Sequence, residues 1–108
     1  MKITAVELSD DEIQDIMDRA PVACSYWMEL VEYKIDWGID ETSLVFRHFG
    51  ETEVLTADKI KTGVCLALLD SRNVASQVAQ NPENLGFVDI EAVDLIVQFG
   101  LFGKIVYG

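Results

Sequence analysis

The C-terminal segment DLIVQFGLFGKIVYG limits the fold of this chain more than any other stretch. Its apolar run from Leu95 to Phe102 is interrupted by one polar residue, Gln98, although a chain end is usually polar and frayed. The run is far shorter than the ~20 residues that a membrane span needs. A helix that is apolar on nearly every side normally lies at the centre of a domain. We therefore expect a core helix that ends near Phe102, where Gly100 and Gly103 are poor helix formers.

Length and charge set the class of protein. A chain of 108 residues fits one domain, residues 1–108, that buries a core without disulfides or metal. Half of the residues are hydrophobic, which argues against disorder. Nineteen acidic residues against eight basic ones give a net charge of −11, so direct binding to nucleic acid or an anionic membrane is disfavoured. The negative charge favours binding to a basic partner, or serves only to keep the protein soluble.

The N-terminus and the cysteines predict a cytoplasmic protein. MKITAVELSDDE lacks the long apolar run of a signal peptide. Cys24 and Cys65 are not spaced as a metal pair or a redox motif. We expect both to be reduced and buried as small hydrophobic residues.

The first half of the chain predicts two helices. SDDE is a capping box, with Ser9 as the cap and Glu12 three residues later, and the apolar residues that follow recur at helical spacing. Pro21 is expected to end this helix or to begin the next one. The stretch VACSYWMELVEYK predicts the second helix, with Trp27 in the core.

In the second half of the chain, the spacing of the apolar residues changes from helical to strand-like. In TSLVFRHFGETEVL, Leu44, Phe46 and His48 alternate with Val45, Arg47 and Phe49, and the GET that follows suits a short loop, so the stretch predicts a β-hairpin. Thr56 caps a third helix, SRNVASQVAQ continues or restarts it, and NPENLG is a loop. Asp89 caps the last helix, and KIVYG is expected to close the fold as a short strand. The predicted fold class is α+β, with about four helices, a small β-hairpin or sheet and the apolar C-terminal core helix.

Candidate binding residues are mostly aromatic. Large aromatics that interleave with acids suit a binding interface and ordinary packing equally well. The residues that we expect at a partner or ligand site are Tyr26, Tyr33, Trp37, Arg47, His48, Phe102 and Tyr107. The glycines that flank Leu101 and Phe102 would let the backbone approach another surface closely, in this chain or in a partner. The acidic surface is assigned to Asp10, Asp11, Asp15, Asp18, Glu29, Glu32 and Asp36.

No catalytic signature or metal motif is predicted. His48 is the only histidine, and the sequence alone does not show which partners it meets. The acidic clusters lie at helix starts, where capping and the helix dipole favour them without a metal. We therefore expect no cofactor and no enzyme activity.

The motifs in their order resemble a family. LSDDEIQDIMDRA, SYWMELVEY, VLTADKIKTGVCLAL and DIEAVDLIVQFGLFGKIVYG are similar to segments of small uncharacterised proteins from prophages and conjugative elements of Gram-positive, largely gut-dwelling bacteria. The likeness spans almost the whole chain, and its last twenty or so residues are the most specific part. The resemblance implies a mobile-element accessory protein made in the bacterial cytoplasm.

Three functions remain open from the sequence. The first is a counter-defence factor that binds and blocks a host defence protein with a basic surface, such as a CRISPR effector or another nucleic-acid-handling complex. The second is a homo-oligomeric protein that sequesters a small signalling nucleotide, with aromatic residues stacking on its base. The third is a structural or regulatory protein of the mobile element.

Overall fold

The computed structural model describes residues 8–35, 38–70 and 89–107. The helices and strands in chain order are helix α1 (Asp10–Ala23), strand β1 (Glu29–Lys34), a 3₁₀ turn (Ile39–Glu41), strands β2 (Ser43–His48) and β3 (Glu51–Thr56), and helices α2 (Ala57–Asp70) and α3 (Ile90–Phe102). The class is α+β, as the sequence predicted. The predicted helix or loop at residues 71–88 lies outside the described residues.

Local signals correctly predict the start of α1 and both ends of α3. Ser9 accepts a hydrogen bond from the backbone of Glu12, whose side chain bonds back to the cap. Asp89 caps α3 by accepting from the Ala92 amide at 2.8 Å. Gly103 ends α3 in the left-handed conformation (φ 71°), which glycine adopts without a Cβ penalty. The expected end of the last helix near Phe102 is confirmed.

The predicted second helix is wrong. Helix α1 continues through Pro21 to Ala23, where the proline costs one hydrogen bond in the last turn rather than ending the helix. A tight turn follows, with the amides of Trp27 and Met28 donating to the Cys24 carbonyl. The chain then runs as strand β1, because pairing with β2 overrides a local pattern that suits helix and strand equally.

The predicted hairpin is confirmed and extended to a sheet. The strands are antiparallel in the order β1-β2-β3. Leu44, Phe46 and His48 of β2 alternate toward the core, and all three are buried. Phe49 and Gly50 form the two-residue turn, both with positive φ (48° and 80°), rather than the expected GET, whose Glu51 and Thr52 belong to β3. This alternation directs one face of the sheet at the helices.

Helix α3 is the core element that its composition predicts. It packs against both α1 and α2, and Ile96 and Val97 are fully buried. The contact with α2 is close enough that a Cβ on Gly63 would lie 2.0 Å from the Ile96 carbonyl oxygen, and one on Gly100 would lie 2.2 Å from that of Lys59. The close backbone approach predicted at Gly100 is therefore made within this chain.

The C-terminal tail and the thiols differ from expectation in part. Residues 104–107 form no strand. The amides of Val106 and Tyr107 instead both donate to Oε1 of Gln98, each at 2.8 Å. Cys24 is buried as predicted, whereas Cys65 is only half-buried, and both are free thiols. Within the described residues no helix is long and apolar enough to cross a membrane.

Candidate functional site

The aromatic residues of the tail pack on Trp27, which is itself buried. The rings of Trp27 and Tyr107 stack with centroids 4.9 Å apart and planes 8° apart. Phe102 lies 5.8 Å from Trp27 and 5.1 Å from His48, measured between ring centroids. Tyr107 and Phe102 are half-buried and packed on the core. Phe102 is therefore mainly a core residue, although it was a predicted contact residue.

Two buried polar residues of α3 hold this arrangement together. The Asp94 carboxylate accepts hydrogen bonds from Nε1 of Trp27 at 2.8 Å, from the Tyr26 hydroxyl, and from Nε2 of Gln98 at 3.0 Å. Gln98 is fully buried and accepts the two tail amides described above. A buried carboxylate is stable only when donors satisfy it. Asp94 therefore fixes Tyr26 and Trp27, and Gln98 fixes the tail beside them.

The Asp94 carboxylate also contributes to raised pKa values of two neighbouring side chains. Burial of the hydroxyl and its hydrogen bond to Asp94 raise the pKa of Tyr26 to about 12. Burial, together with the nearby Asp94 charge, also raises the pKa of the Cys24 thiol well above its usual range. A thiol held protonated is a poor nucleophile. Cys24 is thus a structural residue, not a reactive one.

A pocket of about 420 Å³ opens where β1, β2 and the hairpin turn meet the α1–β1 turn. Its walls include three of the predicted site residues, Tyr26, Arg47 and His48. The other residues that line it are Ser25, Trp27, Met28, Glu29, Phe49 and Gly50. The volume is in the range of small-molecule sites. The structure thus brings part of the predicted set into one concave surface, which we call the aromatic pocket.

Phe49 belongs to this pocket and was not predicted as a site residue. Its side chain is 85% exposed, and its ring stacks on Tyr107 with centroids 5.6 Å apart. A positive φ of 48° is unfavourable for a bulky residue, and Asn or Gly is usual at the first position of such a turn. Its strained backbone and its exposure make Phe49 a candidate contact residue. The sequence signal was present as Phe-Gly where Asn-Gly is expected.

His48 lies under the turn, between the tail and two glutamates. Its Nδ1 is 2.8 Å from the Tyr107 hydroxyl oxygen. Its Nε2 is 3.3 Å from Oε1 of Glu53 and 4.0 Å from Oε2 of Glu51. The sequence did not assign either glutamate. A two-residue turn between His48 and Glu51 sets those two residues opposite each other, which is the signal that could have found them.

Among the described residues, the predicted binding residues Tyr33, Phe102 and Tyr107 do not line the aromatic pocket. Tyr33 is bound to α1, where its hydroxyl donates to Oδ1 of Asp18 at 2.5 Å and contacts Nε2 of Gln14. Burial and the Asp18 carboxylate raise the pKa of Tyr33 well above its usual range. Trp37 lies outside the described residues, as does the predicted surface acid Asp36.

Most of the predicted acidic surface is exposed. The side chains of Asp10, Asp11, Asp18, Glu29 and Glu32 are exposed, and Asp15 is half-buried. Asp15 pairs with Arg19 at 3.4 Å, and Glu32 lies 4.0 Å from Lys34. Such exposed pairs contribute little to stability. The acids of α1 and β1 therefore present a negative surface, which adjoins the aromatic pocket at Glu29.

Comparison with known proteins supplies no relative for this chain. No protein-family model matches the sequence, and no curated protein or solved structure shows significant similarity to it.

Proposed function

We propose that this protein acts by binding rather than by catalysis, and that it blocks a partner protein with a basic surface. The observation that carries the proposal is the pair of exposed aromatics at the aromatic pocket, next to the acidic strand β1. Tyr26 is 58% exposed and Phe49 is 85% exposed. Exposed aromatic residues surrounded by polar groups are typical of protein interfaces.

Both aromatics are held in place before any partner arrives. The Tyr26 hydroxyl bonds to Asp94, and the Phe49 ring stacks on Tyr107. Side chains that are already ordered lose little conformational entropy on binding. Aromatic residues of this kind are frequent among the few that dominate binding energy. Tyr26 and Phe49 are therefore the proposed anchors.

The charge of the molecule supports the choice of partner. The net charge is −11, and Glu29 and Glu32 are exposed on the strand beside the anchors. A negative surface attracts a groove built to hold phosphates and speeds the encounter with it. The resemblance to proteins of mobile elements suggests a host defence complex, such as a CRISPR effector, as the owner of that groove. The setting would then be the cytoplasm of a bacterial host.

A small nucleotide is the second candidate ligand. Arg47, Tyr26 and Phe49 line one pocket, and Arg47 has no ion pair among the described residues. A guanidinium beside aromatic rings suits a phosphate and a stacked base. Against this ligand, Glu29 is the cross-strand partner of Arg47 and brings a negative charge to the same pocket. The protein partner is therefore preferred.

Phe49→Asn tests the proposed anchor. Asn-Gly is the favoured sequence for this turn, so the variant should fold while the exposed ring is removed. Tagged wild type and variant are used to capture proteins from a bacterial host lysate. We expect the wild type to retain a stoichiometric basic partner and the variant to lose it by at least about tenfold, the range of an interface hot spot.

Leu69→Asn is the matched control, because Leu69 is an exposed apolar residue (66%) on α2. It should capture the partner as the wild type does. Equal capture by wild type and Phe49→Asn would contradict the proposed anchor. If no protein is captured, the nucleotide alternative is tested by the melting temperature in the presence of cyclic dinucleotides and ADP-ribose compounds, where an increase would favour it.

A further inference from the structure

The β2–β3 hairpin places one imidazole and two carboxylates on the same face of the sheet. His48 and Glu51 are directly paired across the turn, and Glu53 pairs with Phe46, whose side chain points to the core. Side chains two residues apart on a strand share a face. All three potential ligand atoms, Nε2 of His48 and one oxygen of each glutamate, lie within 4.8 Å of one another.

The spacing of these atoms suits a metal ion. Nε2 of His48 is 3.3 Å from Oε1 of Glu53. Two ligands of a tetrahedral zinc ion, each about 2.0–2.1 Å from the metal, are separated by about 3.3–3.4 Å. The Glu51 oxygen is further away, at 4.0 Å, but its side chain is 75% exposed and free to approach by rotation.

The surroundings of His48 also resemble those of a metal ligand. Its side chain is only 8% exposed, and its ring packs against Phe102 and Trp27. Its other nitrogen, Nδ1, is 2.8 Å from the Tyr107 hydroxyl oxygen. A metal-binding histidine is usually oriented by a hydrogen bond at its second nitrogen. The tail thus fixes the direction in which Nε2 points.

We infer that His48, Glu51 and Glu53 form a binding site for a divalent transition metal such as zinc, which accepts imidazole nitrogen and carboxylate oxygen as ligands. Metal binding needs a neutral imidazole with a free electron pair on Nε2. In the neutral tautomer that leaves Nε2 unprotonated, Nδ1 carries the proton and Nδ1–H donates to the Tyr107 hydroxyl oxygen. A fourth position is left for water or a partner's side chain. The bound ion would lock the turn that carries Phe49 to the C-terminal tail.

Calorimetric titration of the full chain with zinc chloride tests this site, in excess magnesium so that unspecific binding to the acidic surface is suppressed. We expect one zinc ion per chain. Glu53→Gln should weaken binding by at least about tenfold, and Glu51→Gln by a similar or smaller factor. Both variants keep the shape of the side chain, and circular dichroism checks that they fold.

Glu32→Gln is the control, since it removes one exposed negative charge of β1 and no proposed ligand. Zinc affinity unchanged by Glu53→Gln, or weakened equally by Glu32→Gln, would overturn the site. Cobalt substitution adds a spectroscopic test. Tetrahedral visible bands without a thiolate-to-cobalt charge-transfer band support the assigned ligands, whereas a thiolate band would move the metal to Cys24 or Cys65. The proposed partner is not involved in any of these measurements.

Discussion

At the scale of single residues, Asp94 does the most to organise the site. Its carboxylate receives the Trp27 indole, the Tyr26 hydroxyl and the Gln98 amide, from two segments far apart in the chain. The sequence placed Asp94 among the acids of a helix start, where capping would explain it. The cap is Asp89, as predicted, whereas Asp94 lies more than one turn further on and is buried. A buried acid of this kind cannot be told from a surface acid by its neighbours in sequence.

Three raised pKa values predict that the protein loses stability at high pH. The pKa values of Cys24, Tyr33 and Tyr26 are all raised in the folded state, that of Tyr26 to about 12. The unfolded chain therefore loses these protons first as pH rises. The contribution to the free energy of unfolding is fully present below about pH 8.5 for the thiol and about pH 10 for the phenols, and is lost above those values.

Urea unfolding in the presence of a reductant, at several values between pH 8 and pH 12, measures this loss. Tyr26→Phe should flatten the fall above about pH 10. The effect should be modest, because the Tyr26 ring is largely exposed and solvent screens its charge. An equally steep fall in the variant would show that Tyr26 has no part in it.

At the scale of helices and strands, the crossing of α2 and α3 depends on two glycines. Gly63 and Gly100 bring the two backbones into contact, and a Cβ at either position would overlap a carbonyl oxygen of the other helix. A backbone atom cannot move aside as a side chain does. These two glycines therefore set the distance at which the core helix packs.

Gly100→Ala should consequently lower the free energy of unfolding by about 3 kcal/mol or more, at the upper end of overpacking effects. Chemical denaturation followed by tryptophan fluorescence measures it. Gly38→Ala is the matched control, because a Cβ at Gly38 has no atom within 4 Å and its φ is −112°. A loss as small as in the control would mean that the helices separate at little cost.

At the scale of the whole molecule, the net charge governs the rate at which a charged partner associates. The net charge of −11 acts over about a Debye length, which shortens from roughly 10 Å at 0.1 M salt to about 3 Å at 1 M. Association with a basic partner should therefore slow steeply as salt rises.

Stopped-flow or surface-binding kinetics of the captured partner, between low and high salt, test this dependence. Combined Glu29→Gln and Glu32→Gln should make the salt dependence shallower, since these acids adjoin the aromatic pocket. Combined Asp40→Asn and Glu41→Gln remove the same charge from the exposed 3₁₀ turn and should change it less. A rate that does not vary with salt would remove the electrostatic part of the proposed function.

The sequence by itself determined the features that depend on near neighbours. The capping box at Ser9, the cap at Asp89, the glycine end of α3 and the hairpin were all predicted, because their hydrogen bonds join residues a few positions apart. The apolar run of α3 also predicted its central position, since nothing else could cover it on every side.

Only the tertiary structure decided the rest. Strand β1 was expected as a helix, and its choice depends on β2, whose paired residues lie 9 to 18 positions further along the chain. The bonds of Asp94 to Tyr26 and of His48 to Tyr107 join residues 68 and 59 positions apart. Such contacts depend on which surfaces meet after folding, and no local pattern encodes them. The aromatic pocket is made of such contacts. The ligands of the proposed metal site lie within one hairpin, and only the contact of His48 with Tyr107, which orients the imidazole, joins distant parts of the chain.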